Sequence, residues 1–577
     1  MSQSNRLPAT RFLAGVAVIG LLSIGGTAVA SDPVTVDAHS HAGAYLSGTI
    51  AAARSDYSAA ASFMRDVLET DTDNDAVLSE ALRLSLFANG VADALPLAYL
   101  AEEQELDNEL VDFLLFVEAM DGDDFERAAA LVEAMERTGV TWFSLPFAEA
   151  WVAAGQGDVV AADAALDEIR DTNGFSGLAH LHLALIFDLE NQTAPAETEY
   201  RLALESARTE LLVEALASLL SRDGRSDEAI ELLSEVVEAG NQSIALASAL
   251  ERLENGETVP RPVGSAGVGL GEALYQIASA LMQEDATEIA LQYVRFAQFL
   301  WPEAPQIQLL LADALRAADA TEDALAAYAI LETGTRHGNL ASLRRAAMLG
   351  ELERYDQALE ELAALAESTP DAAEPHVQRG DLLRVQRRFD EAVEAYDVAA
   401  ERQPELVQLD WTFLYRRGIA LERAGLWDRA EQDFIHAIDI NPDNGYLLNY
   451  LGYSWADRGI NVDEAEELLL RAIELQPEDG FIADSVGWVY YRTGRLDEAI
   501  EWLELAVTLE PGDPEINDHL GDAYWVAGRL VEARFQWRRA LSSDTDEERI
   551  AEIEAKLRDG LLDDGILVED EQHSDAR

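Results

Sequence analysis

The sequence predicts an all-α solenoid of stacked helical hairpins in two lobes, and three observations predict it. Alanines recur in one phase at Ala60, Ala94, Ala128, Ala162, Ala196 and Ala229, then at Ala290, Ala324, Ala358, Ala392, Ala430, Ala465, Ala499 and Ala533. Their intervals are 33 to 35 residues, except 38 after Ala392 and 61 after Ala229. Gly380, Gly418, Gly452, Gly487 and Gly521 stand 12 or 13 residues before the alanine of their unit. Pro404, Pro442, Pro477 and Pro511 close the corresponding second segments. A fixed period of this length marks an array in which each unit buries its apolar face against the next.

The residue types say what one unit is. Gly380 lies where a first helix must approach a second without a side chain between them, and Ala392 faces it from the second helix. Phe389, Tyr396 and Ala399 fill the space toward the next hairpin. The terminal prolines stop the second helix because proline cannot continue its hydrogen-bond ladder. Asp390, Asp428, Asp463 and Asp497 stand two residues before their alanine. They are expected to cap the free N–H groups of the second helix.

Along the chain, the first thirty residues read as an export signal. Arg6 and Arg11 precede an apolar stretch from Phe12 to Ile24, and small residues at Ala28 and Ala30 precede Ser31. Cleavage is expected after Ala30, and the stretch is too short for a bilayer span, which needs about 20 residues. Cleavage takes the formal net charge from −68 to −70, since only two arginines leave. A periplasmic product without stable membrane insertion is expected. An N-terminal lobe of about six hairpins then spans 45–253, ending in a helix from about Asn241 to Leu253. A linker occupies 254–270, with its string NGETVPRPVGSAGVGLG read as a bend. A C-terminal lobe of about eight hairpins spans 271–543. A capping helix near Glu547–Leu557 and an acidic tail expected to be disordered occupy 544–577.

Composition narrows the chemistry. With 49% hydrophobic residues the chain has enough apolar surface to fold. Its 109 acidic against 41 basic residues repel phosphate backbones and anionic lipid headgroups, so nucleic acid is excluded as a partner. There is no cysteine, hence neither a disulfide nor a thiolate metal site. Gly267, Gly269 and Gly271 resemble a phosphate-cradling loop, but no strand precedes them and no Lys-Ser/Thr follows, so they read as linker. Asp37, His39 and His41 alternate near the start, on a terminus poorly suited to hold a metal. No carboxylate pair stands out as an acid/base couple. The reading is therefore not an enzyme, with neither cofactor nor metal.

The period, the Gly and Ala positions and the terminal prolines resemble the tetratricopeptide-repeat (TPR) superfamily over roughly residues 45 to 543. The runs NYLGYSWADRG (Asn449–Gly459), DSVGWVYYRTG (Asp484–Gly494) and DHLGDAYWVAG (Asp518–Gly528) are similar to the C-terminal units of a family of exported bacterial TPR proteins. That family includes the periplasmic adaptor of a carboxyl-terminal processing protease, and some members are lipoproteins. The lipobox cysteine of such members is missing here. The resemblance implies a right-handed superhelix whose first helices line a concave groove that receives peptides or a partner helix.

The groove positions lie three residues before, and one and four to six after, each glycine. They are Asn449, Tyr453, Asp457 and Arg458, then Asp484, Trp488, Tyr491 and Arg492, then Asp518, Asp522 and Trp525. An aromatic strip flanked by carboxylates suits a peptide with apolar anchors and basic residues. Trp488 and Trp525 can equally pack between hairpins. The sole lysine, Lys556, falls in the tail, which argues against a lysine clamp for a terminal carboxylate. The expected function is an adaptor or scaffold for other proteins, including an envelope protease and its substrates. The alternative is a structural or peptidoglycan-facing component.

Overall fold

The computed structural model describes residues 41–567 apart from 70, 171, 173, 239–243, 544–545 and 563–564. The expected export signal, Asp37, His39 and the tail from 568 onward lie outside the described residues. Thirty-one helices and no strand occur among those described. Twenty-eight of the helices form fourteen antiparallel hairpins, each carrying one phase alanine in its second helix, and all fourteen alanines are fully buried. A side chain larger than methyl at those positions would separate the two backbones, which is why the phase tolerates so little variation.

The glycines do what their spacing implied. A Cβ on Gly380 would lie 2.6 Å from the Tyr396 ring, and one on Gly521 would lie 2.4 Å from Trp537. Tyr396 then meets Phe413 of the following hairpin edge to face, with ring centres 5.7 Å apart. Pro404, Pro442, Pro477 and Pro511 each stand two residues past the last residue of a second helix. The 38-residue interval holds an added short helix, Glu405–Leu409, between the tenth and eleventh hairpins.

The expected aspartate caps are not caps. Asp390, Asp428, Asp463 and Asp497 sit inside the first turn, while the capping positions are Arg388, Leu426, Asn461 and Arg495, and none of these makes a side-chain cap bond. The aspartates act instead on the positive end of the helix dipole. The chain reverses within each hairpin through a left-handed residue, almost always five positions before the phase alanine. Glycine fills some of these turns, as at Gly425, Gly494 and Gly528, whereas Ser55, Asp123, Asn191, Asp285, Asp319, Glu353 and Arg387 fill others.

The first six hairpins run from His41–Ala52 to Ser226–Glu238 and are followed by the helix Ile244–Glu254. The linker reading fails at its C-terminal end. Residues from Ala266 belong to the 18-residue helix Ala266–Gln283, which with Thr287–Leu300 forms the seventh hairpin. This hairpin packs against the first helices of the second to fifth hairpins as well as against its own neighbour. One apolar core therefore runs unbroken from Ala44 to Leu362, and a second runs from Ala373 to Ile553. The core divides between the ninth and tenth hairpins, not at the Gly/Pro-rich stretch. The cap is the helix Glu547–Asp559, packed on the fourteenth hairpin.

Candidate functional site: two concave faces

The concave face of the first stack is filled by the seventh hairpin. Phe296 stacks on Phe113 with ring centres 4.8 Å apart, and the Ser144 and Tyr293 hydroxyls lie 3.0 Å apart. Arg295, nearly buried, donates through Nη2 to the carbonyls of Phe87 at 2.6 Å and Ala88 at 2.8 Å. These are carbonyls at the C-terminal end of Asp75–Asn89, where a helix leaves acceptors unused and favours a cation. The three glycines set aside as a linker make the insertion possible. A Cβ on Gly269 would lie 2.2 Å from the Trp151 indole, and one on Gly271 would lie 3.2 Å from Leu300. Trp151 in turn donates to His182 Nδ1 at 3.1 Å, and burial pulls His182 down to about 3, so it stays neutral. Burial lifts Glu272 on the inserted helix to about 7. An apolar cavity of about 750 Å³ remains beside it, lined by Phe143, Phe175, Leu212 and Ile277 among others.

The second concave face belongs to the last three hairpins. Their first helices are Gly445–Arg458, Gly480–Arg492 and Pro514–Val526, each capped by an acceptor side chain: Asn444, Asp479 and Asp513. Asp484 meets His519 Nδ1 at 2.9 Å, and Trp488 stacks on His519 at 4.1 Å and on Tyr491 at 5.0 Å. Tyr453 reaches across the thirteenth hairpin and donates to Glu515 at 3.3 Å; Arg549 of the cap holds the other Glu515 oxygen at 3.0 Å. Lys556 of the cap donates to Asp518 at 2.7 Å and to Asp522 at 2.8 Å.

The electrostatics follow from two carboxylates facing one imidazole. Burial alone would lower His519, but Asp484 and Glu515 outweigh it and raise His519 to about 9. Burial also pushes Asp484 upward, yet the imidazole remains the charged partner because Glu515 adds a second negative charge. Asp522 is lifted to about 6 by burial and by Asp518, with Lys556 opposing.

Four side-chain atoms in this cluster are buried without a hydrogen-bond partner among the described residues: Asn449 Oδ1, Trp488 Nε1, Arg492 Nε and Asp518 Oδ1. They are two acceptors and two donors spread over three successive hairpins. At the outer edge of the same face, Tyr446 is 56% and Phe481 53% exposed.

Of the eleven residues expected to line the groove, the structure brings together Asn449, Tyr453, Asp484, Trp488, Arg492 and Asp518, with Asp457 exposed and accepting from Arg492 Nη1 at 3.4 Å. Four others do not face it openly. Arg458 turns away to Glu422, at 2.8 Å, and lies over the Trp427 ring. Tyr491 is 1% exposed beneath Trp488. Asp522 accepts from Trp537 Nε1 at 2.9 Å as well as from Lys556. Trp525 packs on Trp537 and under Gly560. Sequence reasoning missed Tyr446, Phe481 and Glu515, although all three stand six residues before a unit glycine. It also missed His519, and although the expected capping helix includes Lys556, the reading set that lysine aside with the tail and did not see its side chain reach Asp518 and Asp522.

Among the described residues, no group of three or more His, Asp or Glu is placed to hold a metal ion, and no helix is long and apolar enough to cross a membrane. The family described as "Tetratricopeptide repeat" matches residues 343–406 and 415–480, and that described as "TPR repeat" matches 487–528. A curated relative, the TPR repeat-containing protein PA4667 of Pseudomonas aeruginosa, is 31% identical over 87 residues. The match spans only 15% of that relative's length and 15% of this chain. Among solved structures, YrrB, titled a TPR protein with an unusual peptide-binding site, is 21% identical and covers 33% of this chain and 97% of its own, with a TM-score of 0.26. Yeast Tom70 is 12% identical and covers 90% and 95% respectively, with a TM-score of 0.32.

Proposed function

We propose that this chain of tetratricopeptide repeats is an exported, non-enzymatic scaffold that binds an extended segment of a partner protein on the concave face of its last three hairpins. The observation that carries this reading is the run of four unpartnered buried polar atoms, Asn449 Oδ1, Trp488 Nε1, Arg492 Nε and Asp518 Oδ1. Each such atom costs about 1 to 3 kcal/mol while it lacks a partner. The alternating N–H and C=O groups of an extended main chain supply donors and acceptors of both kinds. The bond from Tyr453 to Glu515, long at 3.3 Å, spans this face and is a contact that an entering segment replaces. Tyr446 and Phe481 then offer apolar anchors at the rim, and the surrounding carboxylates favour basic residues in the partner. Delivery of substrates to an envelope protease is the cellular role that this reading and the family resemblance favour.

The test is capture from envelope extracts by the mature chain beginning at Ser31 and by a Tyr446→Ala/Phe481→Ala variant. Both side chains are solvent-exposed, so the fold is retained. Partner proteins captured by the first and lost at least about tenfold by the second support the proposal, since two anchoring aromatics contribute more than one decade of affinity. Capture unchanged in the variant, or retention on isolated peptidoglycan alone, refutes it.

A further inference from the structure

The described residues after the cap helix, 560–562 and 565–567, lie over the last three hairpins. Gly560 passes above Trp525, where a Cβ would lie 2.3 Å from the indole. Ile566 then lies over Gly494, 3.5 Å from where its Cβ would be, and Leu567 lies over Gly459, where a Cβ would come within 2.7 Å. The Leu567 N–H donates to the carbonyl of Arg492 at 2.7 Å. Arg492 is the last residue of its helix, so that carbonyl is one of the acceptors a helix end leaves unused. The segment thus runs from the fourteenth hairpin back toward the twelfth, across the end of the face proposed above.

Gly459 and Gly494 both have left-handed backbones, at φ +68 and +74, and their missing side chains leave a shelf that Leu567 and Ile566 cover. Two glycine backbones beside one main-chain acceptor take a short segment whose successive aliphatic side chains each cover one glycine while its N–H meets the acceptor. We infer that this shelf is a peptide-docking surface whose occupant is the chain's own Gly565–Leu567, and that a partner segment entering the groove competes with it. The inference rests on the groove reading for the competition, but not for the docking itself. Tethering puts the segment at an effective concentration on the order of millimolar. A free peptide that binds the bare shelf with a Kd of about 0.1 mM is therefore weakened roughly tenfold by the tether.

The test compares the full chain with a full-length Ile566→Ser/Leu567→Ser variant, using a fluorescently labelled synthetic peptide of residues 560–577 as probe. The variant is expected to bind the probe about tenfold more tightly than the original chain, and a probe carrying the same two serines is expected not to bind. Equal binding to both chains, or no binding to a variant that melts normally, overturns the inference. So does a mass doubling in light scattering that the variant abolishes, since the segment then sits on a second copy. Should the variant fail to fold, hydrogen exchange at the Leu567 amide of the original chain decides: slowed exchange supports docking and free exchange refutes it. The Tyr446→Ala/Phe481→Ala variant should leave probe binding unchanged while losing partners, so the two proposals fail separately.

Discussion

His519 gathers the residue-scale lessons. Its imidazole is buried against Asp484 and stacked under Trp488, and the pair of facing carboxylates raises it to about 9. In the unfolded chain the same group titrates near 6.5. A raised histidine stabilises the fold fully below about pH 6.5, and the contribution is lost as pH climbs through about 9. The difference amounts to about 3 kcal/mol. The raised carboxyls of Glu272, at about 7, and Asp522, at about 6, also favour the folded state more at lower pH, but their changes are complete before the upper half of this window. Melting temperatures of the original chain should therefore fall between pH 7 and 9.5, while His519→Asn should be flatter over that range and closest to the original at the alkaline end. Identical pH profiles would show that the Asp484–His519 pair carries no linkage. None of this was legible in the sequence, where His519 sits at no repeat position and its partner is 35 residues away.

At the scale of the element, the hairpin was legible because close packing is unforgiving. Fourteen alanines with no exposed surface leave a phase that survives in the first six units, where glycine is replaced by residues such as Phe116 and Ala184. Turns were less legible, because their requirement is conformational and several residue types meet it. The left-handed position five before the alanine is glycine in the last units but Arg387 in the tenth hairpin, at φ +59 with an exposed side chain. An L-residue there costs about 1 to 2 kcal/mol. Glycine returns about 0.4 to 1 kcal/mol of that through a looser unfolded chain. Arg387→Gly is thus expected to stabilise the protein by about 0.5 to 1 kcal/mol in urea unfolding, and a destabilised variant would contradict the strain. The aspartate caps were misread for a related reason. A carboxylate near a helix start is common to capping and to dipole compensation, and sequence alone does not separate a position outside the helix from its second residue.

At the scale of the whole molecule, the period hid the most consequential feature. A Gly/Pro-rich interruption of 61 residues resembles a hinge between lobes, yet Gly267, Gly269 and Gly271 lie in a helix pressed against Trp151 and Leu300. Glycine there reports close approach and not flexibility, and only the partner surface distinguishes the two. The first stack consequently uses its concave face on its own chain, through Arg295, Phe296 and Tyr293, and the last three hairpins present the other concave face. Hydrogen exchange of the free full-length chain across a denaturant series tests this division most directly. The amides of Ala266–Gln283 should open together with those of Asp75–Asn89 and Thr141–Gly155, as one cooperative unit. Opening of Ala266–Gln283 well before those two helices would mean that the first concave face is free, and would contradict the account.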